Sequence, residues 1–283
     1  GAAPAPRPTD RHHRGNAVTQ LSLFAPVERA VMSAPSCTFY LGTHEVSWLR
    51  RTAVPLFISH RRLARQKTWP RATGMWALDS GGFTELNLHG KWQLPPQEYV
   101  QAVRRYIEEI GNLSWAATQD WMCEPTVLAR TGLSVRDHQQ QTVQSYLHLR
   151  DLAPEIPWSP AIQGWMGDDY ERCVDLYAHH GVDLDAAPVV GVGSVCRRQN
   201  SAEAASIFRR LHARGLRLHG FGLKTRGLML AAKYMASADS MAWSFAGRKQ
   251  KKMKECTHKG SCANCLAHAL RWRERVVSIP GVR

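Results

Sequence analysis

Met75-Trp76-Ala77-Leu78-Asp79-Ser80-Gly81-Gly82-Phe83 sets the pattern for the whole chain. Four apolar residues end abruptly in a carboxylate, a hydroxyl and two glycines. A short apolar run bounded in this way predicts a buried strand whose carboxyl end opens into a tight turn. The same grammar recurs, with apolar runs at 38–41, 54–59, 75–78, 113–118, 156–162, 188–192, 216–221 and 237–243 predicting strands. Stretches of helical period lie between them at 95–110, 135–152, 168–180, 202–213 and 226–235. The first helix starts on Pro95-Pro96, places Val100, Val103, Ile107 and Ile110 on one face and stops at Gly111. Strands separated by helices of this length pair in parallel through right-handed crossovers. About eight such units in 283 residues predict an α/β fold, a closed (β/α)8 TIM barrel, with an open doubly wound sheet as the alternative.

Composition narrows the class of protein. Hydrophobic residues make up 44% and charged residues 21%, enough apolar surface to offset ordering entropy, so disorder is excluded for most of the length. No apolar run approaches the roughly 20 residues that cross a bilayer, so no membrane partner is expected. Lys and Arg number 37 against 23 Asp and Glu, a formal charge of +14. That excess favours a polyanionic partner, because cations that neutralise phosphates release counterions; a merely basic surface is the alternative. Seven cysteines, four of them scattered singly through apolar segments, do not form a secreted disulfide framework. Residues 1–16 lack the apolar core of a signal peptide. These features predict a cytoplasmic protein with a flexible tail over 1–18, a barrel over 19–247 and a small C-terminal segment over 248–283.

In such a barrel the site lies at the carboxyl ends of the strands, and chemically capable residues do follow each apolar run. Asp79, with Ser80 and Gly81, is placed to act as an acid or base beside a backbone that a flat ligand can approach; an Asx turn is the alternative. Asp120 supplies a second carboxylate, suited to N–H donors on a guanine edge, or else to capping the helix near Thr126. Gln163-Gly164 offers an amide toward a purine O6, or a turn. Gly193 and Ser194 end a Gly-x-Gly segment with exposed backbone N–H groups, without the third glycine or later acid of a dinucleotide site. Trp121, Trp165 and Trp243 lie near strand ends, where they could stack on an extruded base or simply fill the core.

Near the C-terminus, Cys256, His258, Cys262 and Cys265 have the spacing of a tetrahedral zinc site, with Cys262-Ala263-Asn264-Cys265 as the knuckle and His268 as a substitute for His258. Four protein ligands fill the coordination sphere, so Zn2+ would be structural. Arg248, Lys249, Lys251, Lys252, Lys254, Lys259, Arg271, Arg273 and Arg275 surround it and would form a basic rim beside the barrel mouth, suited to phosphates or simply a solvated face.

These motifs together, in order, resemble the tRNA-guanine transglycosylases: Asp79-Ser80-Gly81-Gly82-Phe83, Asp120 before a Cys, Gln163-Gly164, Gly191-Val192-Gly193, Gly220-Phe221-Gly222, a strand with Asp239 and a late Cys/His knot. The resemblance spans roughly 39–272 and is greatest to the compact paralogues that insert 7-deazaguanine bases into DNA. It implies base exchange without strand cleavage. One aspartate attacks the anomeric carbon, guanine leaves, and a free 7-deazaguanine (preQ0-like) loses a proton to a second aspartate and displaces the enzyme. Asp79 then matches the general acid/base, and Asp120, Gln163 and Gly193 the purine-binding groups. Ser80 touches the base, and backbone around Ser194 and His219 meets the 7-substituent. The family usually carries two aspartates three apart on the nucleophile strand; here Asp239 matches the first and Ala242 occupies the second. The Leu-Pro-Thr-Arg segment that usually follows is absent, and the zinc ligands use a different spacing from the tRNA enzymes. Asp239 is therefore expected to be the nucleophile. The alternatives are the same exchange on tRNA, which an added RNA-binding domain would serve and this length leaves no room for, or an inactive nucleic-acid-binding subunit. A homodimer or a partner subunit fits either case.

Overall fold

The structure is a computed structural model that describes residues 1–4, 36–195 and 202–283. The chain divides into Gly1–Met32, where only residues 1–4 are described and most of the expected tail lies outside them, and Ser33–Arg283, which holds the fold. Among the described residues the strands are β1 (Thr38–Thr43), β2 (Leu56–Ser59), β3 (Trp76–Asp79), β4 (Leu113–Ala117), β5 (Trp158–Ser159), β6 (Ala161–Ile162), β7 (Val190–Val192), β8 (Leu218–Gly220) and β9 (Ser237–Ser240). They form one sheet in the order β5-β4-β3-β2-β1-β9-β8-β7-β6 with every pair parallel.

The two ends of that order, β5 and β6, are consecutive in the chain with only Pro160 between them. They are one bent stave, so the sheet curls into a nearly closed ring of eight, the expected α/β barrel. Proline brings no N–H to a ladder. Around it the Gly191 N–H donates to the Pro160 carbonyl at 2.8 Å, and Ser159 Oγ donates to the Val189 carbonyl at 3.1 Å. The single strand expected over 156–162 is thus broken at its proline.

Two other expectations change. The strand expected over 237–243 stops at Ser240, and Ala242–Lys249 is a helix. Trp243 is needed outside the ring, where its indole donates to the Gly42 carbonyl at 2.8 Å and its ring centroid lies 5.3 Å from that of Trp48; it fills the core and faces no ligand. On the helix Pro96–Glu109, Ile107 is 37% exposed, while Tyr99, Val100, Val103 and Tyr106 are buried. Tyrosine can replace isoleucine inside because each hydroxyl is satisfied, Tyr99 by the Ala117 carbonyl at 2.8 Å and Tyr106 by His60 Nδ1 at 3.1 Å. The helices Val135–Leu152 and Ala202–Ala213 begin and end where their periodicity and caps predict, the first with Ser134 and Asp137 in a capping box.

Alternation along the strands sorts the core into two layers. Phe39 and Leu41 face the surrounding helices, whereas Tyr40, Phe57, Ala77, Trp115 and Val189 fill the barrel interior. This aromatic plug is the floor on which the site rests. The helix Leu266–Val277 lies against β1, with Trp272 and Phe39 centroids 5.8 Å apart. The boundary expected at 247/248 falls inside the helix Ala242–Lys249.

Candidate active site

A cavity of about 270 Å3 opens at the carboxyl ends of the strands. Asp79, Ser80, Asp120, Gln163, Gly193, Ser194 and Asp239 line it, as do the apolar Phe57, Phe83, Phe221 and Met241. Parallel pairing is what brings them together. Residues more than a hundred apart in sequence each sit at or just beyond the carboxyl end of a strand, so a ring of strands becomes a ring of side chains.

Asp239 belongs to β9. Its Oδ1 accepts the Gly222 N–H at 2.9 Å and lies 3.3 Å from His219 Nε2. His219 Nδ1 lies 2.8 Å from Ser237 Oγ. When Nε2 carries the proton it donates to Asp239 and Nδ1 accepts from Ser237. The imidazole is wholly buried, with the rings of Tyr40, Phe57, Trp115 and Phe221 around it at centroid distances between 4.7 and 6.2 Å. His219 thus stands behind Asp239 and does not line the cavity, where contact with a base substituent would require it to be.

Asp79 ends β3 and is half-buried. Burial pushes its carboxyl above the usual range against hydrogen bonds from the Ser59 side chain and the Gly81 N–H, and the negative charge of Asp239 adds to the push. Gly81 has φ +84°, and a Cβ there would lie 2.7 Å from Arg61 Cγ. It shapes the turn that delivers its N–H to Asp79 and does not itself line the cavity.

Asp120 is buried, like Asp239. Burial pushes its carboxyl up to about 7, the bond from Gln163 opposes this, and the charge of Asp79 reinforces it. Gln163 Nε2 donates to Asp120 Oδ2 at 2.5 Å, and Gln163 Oε1 lies 2.8 Å from Ser194 Oγ. Ser194 Oγ also lies 3.0 Å from Glu124 Oε2 and accepts the Cys123 N–H at 2.7 Å. Ser194 has φ +56°, a left-handed conformation that a non-glycine residue keeps only when its surroundings fix it. A Cβ on Gly193 would lie 2.1 Å from Gln163 Nε2, so glycine is what lets the amide reach Asp120. Gly164 is instead a packing residue, because a Cβ there would lie 2.7 Å from Asp169 Cβ under the helix Gly167–His179.

The match to known families covers residues 36–283 and is to DpdA, DeoxyPurine in DNA protein A. The chain belongs to the DpdA family. This is a tRNA-guanine transglycosylase-like family acting on DNA. No curated protein matches the chain.

For a DpdA chain the cavity contains groups that its sequence did not single out. Ser59, which reaches Asp79, could have been found as the polar residue ending the run at 54–59. Glu124 follows Asp120 by four residues and turns back on Ser194. His44 follows β1 and lines the cavity with no motif around it. Trp121 and Trp165 are half-buried, and Trp121 lies edge-on to His138 at 5.4 Å.

The C-terminal knot of this DpdA chain fits a tetrahedral metal. The ligand atoms of Cys256, His258, Cys262 and Cys265 all lie within 4.8 Å of one another. Cys256 and Cys265 Sγ are 3.5 Å apart, and Cys262 Sγ is 3.8 Å from both Cys256 Sγ and His258 Nε2. Four thiolates around zinc at about 2.3 Å would be separated by roughly 3.8 Å, so these edges leave room for the ion at the centre. His268 is committed elsewhere, its Nε2 lying 3.2 Å from the Trp243 carbonyl. Among the basic residues expected to rim the mouth, Arg271 pairs with Glu255 at 3.2 Å, and Arg273 is half-buried with its Nε unpartnered. No helix among the described residues is long and apolar enough to cross a membrane.

Proposed function

We propose that this chain exchanges guanine in DNA for a 7-deazaguanine base (preQ0-like) through a covalent aspartyl–sugar intermediate. The observation that carries this is the convergence of Asp79, Asp120 and Asp239 on one cavity from three separate strands. Each carboxylate has different surroundings, as a nucleophile, a proton carrier and a base holder need. The DpdA match supports DNA over tRNA.

In this reaction an Asp239 oxygen forms a bond to C1′ while the C1′–N9 bond breaks and its electron pair leaves with guanine. Asp79 protonates the departing base. Burial and the neighbouring Asp239 charge both favour that proton, and forming the ester removes the second influence. Asp79 then takes a proton from the incoming base, whose nitrogen displaces the Asp239 carboxylate from C1′. Asp120 and Gln163 hold the purine edge, Gly193 and Ser194 supply the wall beside it, and Ser80 touches the ring. Ala242 removes a competing carboxylate, which leaves Asp239 as the acid on this flank that lines the cavity. His219 positions Asp239. Cys256, His258, Cys262 and Cys265 would hold Zn2+ as a structural tie, and no step passes through it.

The decisive experiment incubates the chain with DNA or tRNA carrying labelled guanine, together with 7-cyano-7-deazaguanine, and follows release of label. Release from DNA alone is expected. Release from tRNA alone would transfer the chemistry to RNA, and release from neither would leave a nucleic-acid-binding subunit.

A further inference from the structure

Beside His44 at the cavity wall stand three arginines that have no ion-pair partner among the described residues. His44 follows β1 and lines the cavity that Asp79 and Asp239 also line. β1 lies between β2 and β9 in the sheet, so the segments leaving these three strands emerge side by side. The segment after β2 carries Arg62 and Arg65, and the helix after β9 carries Arg248. All three act on His44: burial first, then Arg62, Arg248 and Arg65, hold its imidazole below the ordinary histidine range. Arg61, the neighbour in sequence, is neutralised by Glu85 at 2.5 Å. Arg62, Arg65 and Arg248 have no carboxylate within 4.0 Å among the described residues. Arg62 is half-exposed and the other two are exposed.

Three guanidiniums around one imidazole, without an ion-pair partner among the described residues, repel one another, and a bound anion relieves that repulsion. Their forks match the paired oxygens of a phosphodiester. The cavity that His44 borders has room for a base but carries carboxylates on its wall, so a strand entering it needs its phosphates drawn to one side. We propose that Arg62, Arg65 and Arg248, with His44 at the cavity wall, form a phosphate clamp that grips the DNA backbone beside the nucleotide whose base enters the cavity. The placement of that nucleotide rests on the base-exchange reading; the grip on phosphate does not.

The test measures binding of a short fluorescein-labelled DNA duplex across a range of salt concentrations. Replacing all three arginines by glutamine should flatten the log–log salt dependence by about three, roughly one per arginine. Arg104→Gln, which removes an arginine paired with Glu155 away from the mouth, should leave the slope nearly unchanged. A duplex with methylphosphonates flanking its guanosines should bind the parent chain more weakly and the triple variant no more weakly than ordinary DNA. Lysine at the three positions should restore the slope, and Arg65→Gln alone should lower it by about one, which keeps the test valid if the triple glutamine variant folds poorly. An unchanged slope in Arg65→Gln and the triple variant, or an equal methylphosphonate penalty in parent and variant, overturns the clamp. Label release is followed in the same samples. Loss of slope with no exchange in any chain supports the clamp and removes the exchange reading, whereas exchange with an unchanged slope does the reverse.

Discussion

The two flanks of the cavity hold their carboxylates by different means. On the β8–β9 flank, Asp239 is gripped by donors, the Gly222 N–H and His219, which fix where its oxygens point. On the β3–β6 flank, Asp79 and Asp120 are governed by burial, which outweighs the hydrogen bonds they accept and makes both retain protons more readily than usual. The contrast teaches how one barrel can host a nucleophile and a proton carrier within a single small cavity. A nucleophile needs orientation, which converging donors supply. A proton carrier needs a poised affinity, which desolvation supplies.

The most damaging way to test that contrast is to neutralise each flank in turn. Asp239→Asn should abolish the protein–DNA adduct seen on denaturing gels and cut guanine release by roughly 10^4-fold or more. Asp79→Asn should slow release by roughly 10^2- to 10^4-fold yet still permit the adduct to form. If the adduct instead survives in Asp239→Asn and disappears in Asp79→Asn, the flanks have exchanged roles. A smaller effect is expected at Gly193→Ala, whose added methyl must drive Gln163 off Asp120. The KM for the incoming base should rise by about 10- to 100-fold, and adduct formation from DNA should slow as well because the departing guanine meets the same edge; an unchanged KM would show that Gln163 does not hold the base.

A separate effect is on stability. The Asp120 carboxyl is pushed from an ordinary 3.8 to about 7 in the folded chain. Between those values the folded state binds more protons than the unfolded state, so stability falls as pH rises from about 4 to about 7 and then levels off. Asp120→Asn removes that loss. Its melting temperature relative to the parent should climb across this window, the gain reaching up to roughly 4 kcal/mol. A relative melting temperature that is flat or falls with pH would mean that burial does not govern this flank.

Much of the barrel was legible because its signals are local. Apolar runs of strand length ending in Asp79, Asp120 or Gln163 announce both a stave and the residue at its mouth, and the knot ligands lie within ten residues of one another. What escaped depends on distant partners. Tyr99 and Tyr106 become core residues only because a carbonyl and His60 meet their hydroxyls. The tail of the 237–243 run has the composition of a strand but turns into a helix once Trp243 finds Trp48. Gln163 was expected to offer its amide to a purine, yet Asp120 and Ser194 already engage both ends of it, so a ligand must insert into an existing network. His219 looked like a strand-end group for the ligand and lies behind the site, since on β8 the inward position is part of the aromatic plug. Arg62, Arg65 and Arg248 come to bear on His44 only because the sheet order sets β1 between β2 and β9, and no spacing in the chain announces it. Pro160, by contrast, was in plain view as a residue that cannot continue a ladder.

That proline divides the working parts unequally. Everything before it carries Asp79 and Asp120, and everything after it carries Asp239, with the join between β5 and β6 the point where the hydrogen-bonded ring is already interrupted. A chain cut there would yield two half-barrels, each missing a partner that the reaction requires. Base exchange would return only on mixing, and its return would report the moment at which the second half of the ring docks against the first through β1 and β9.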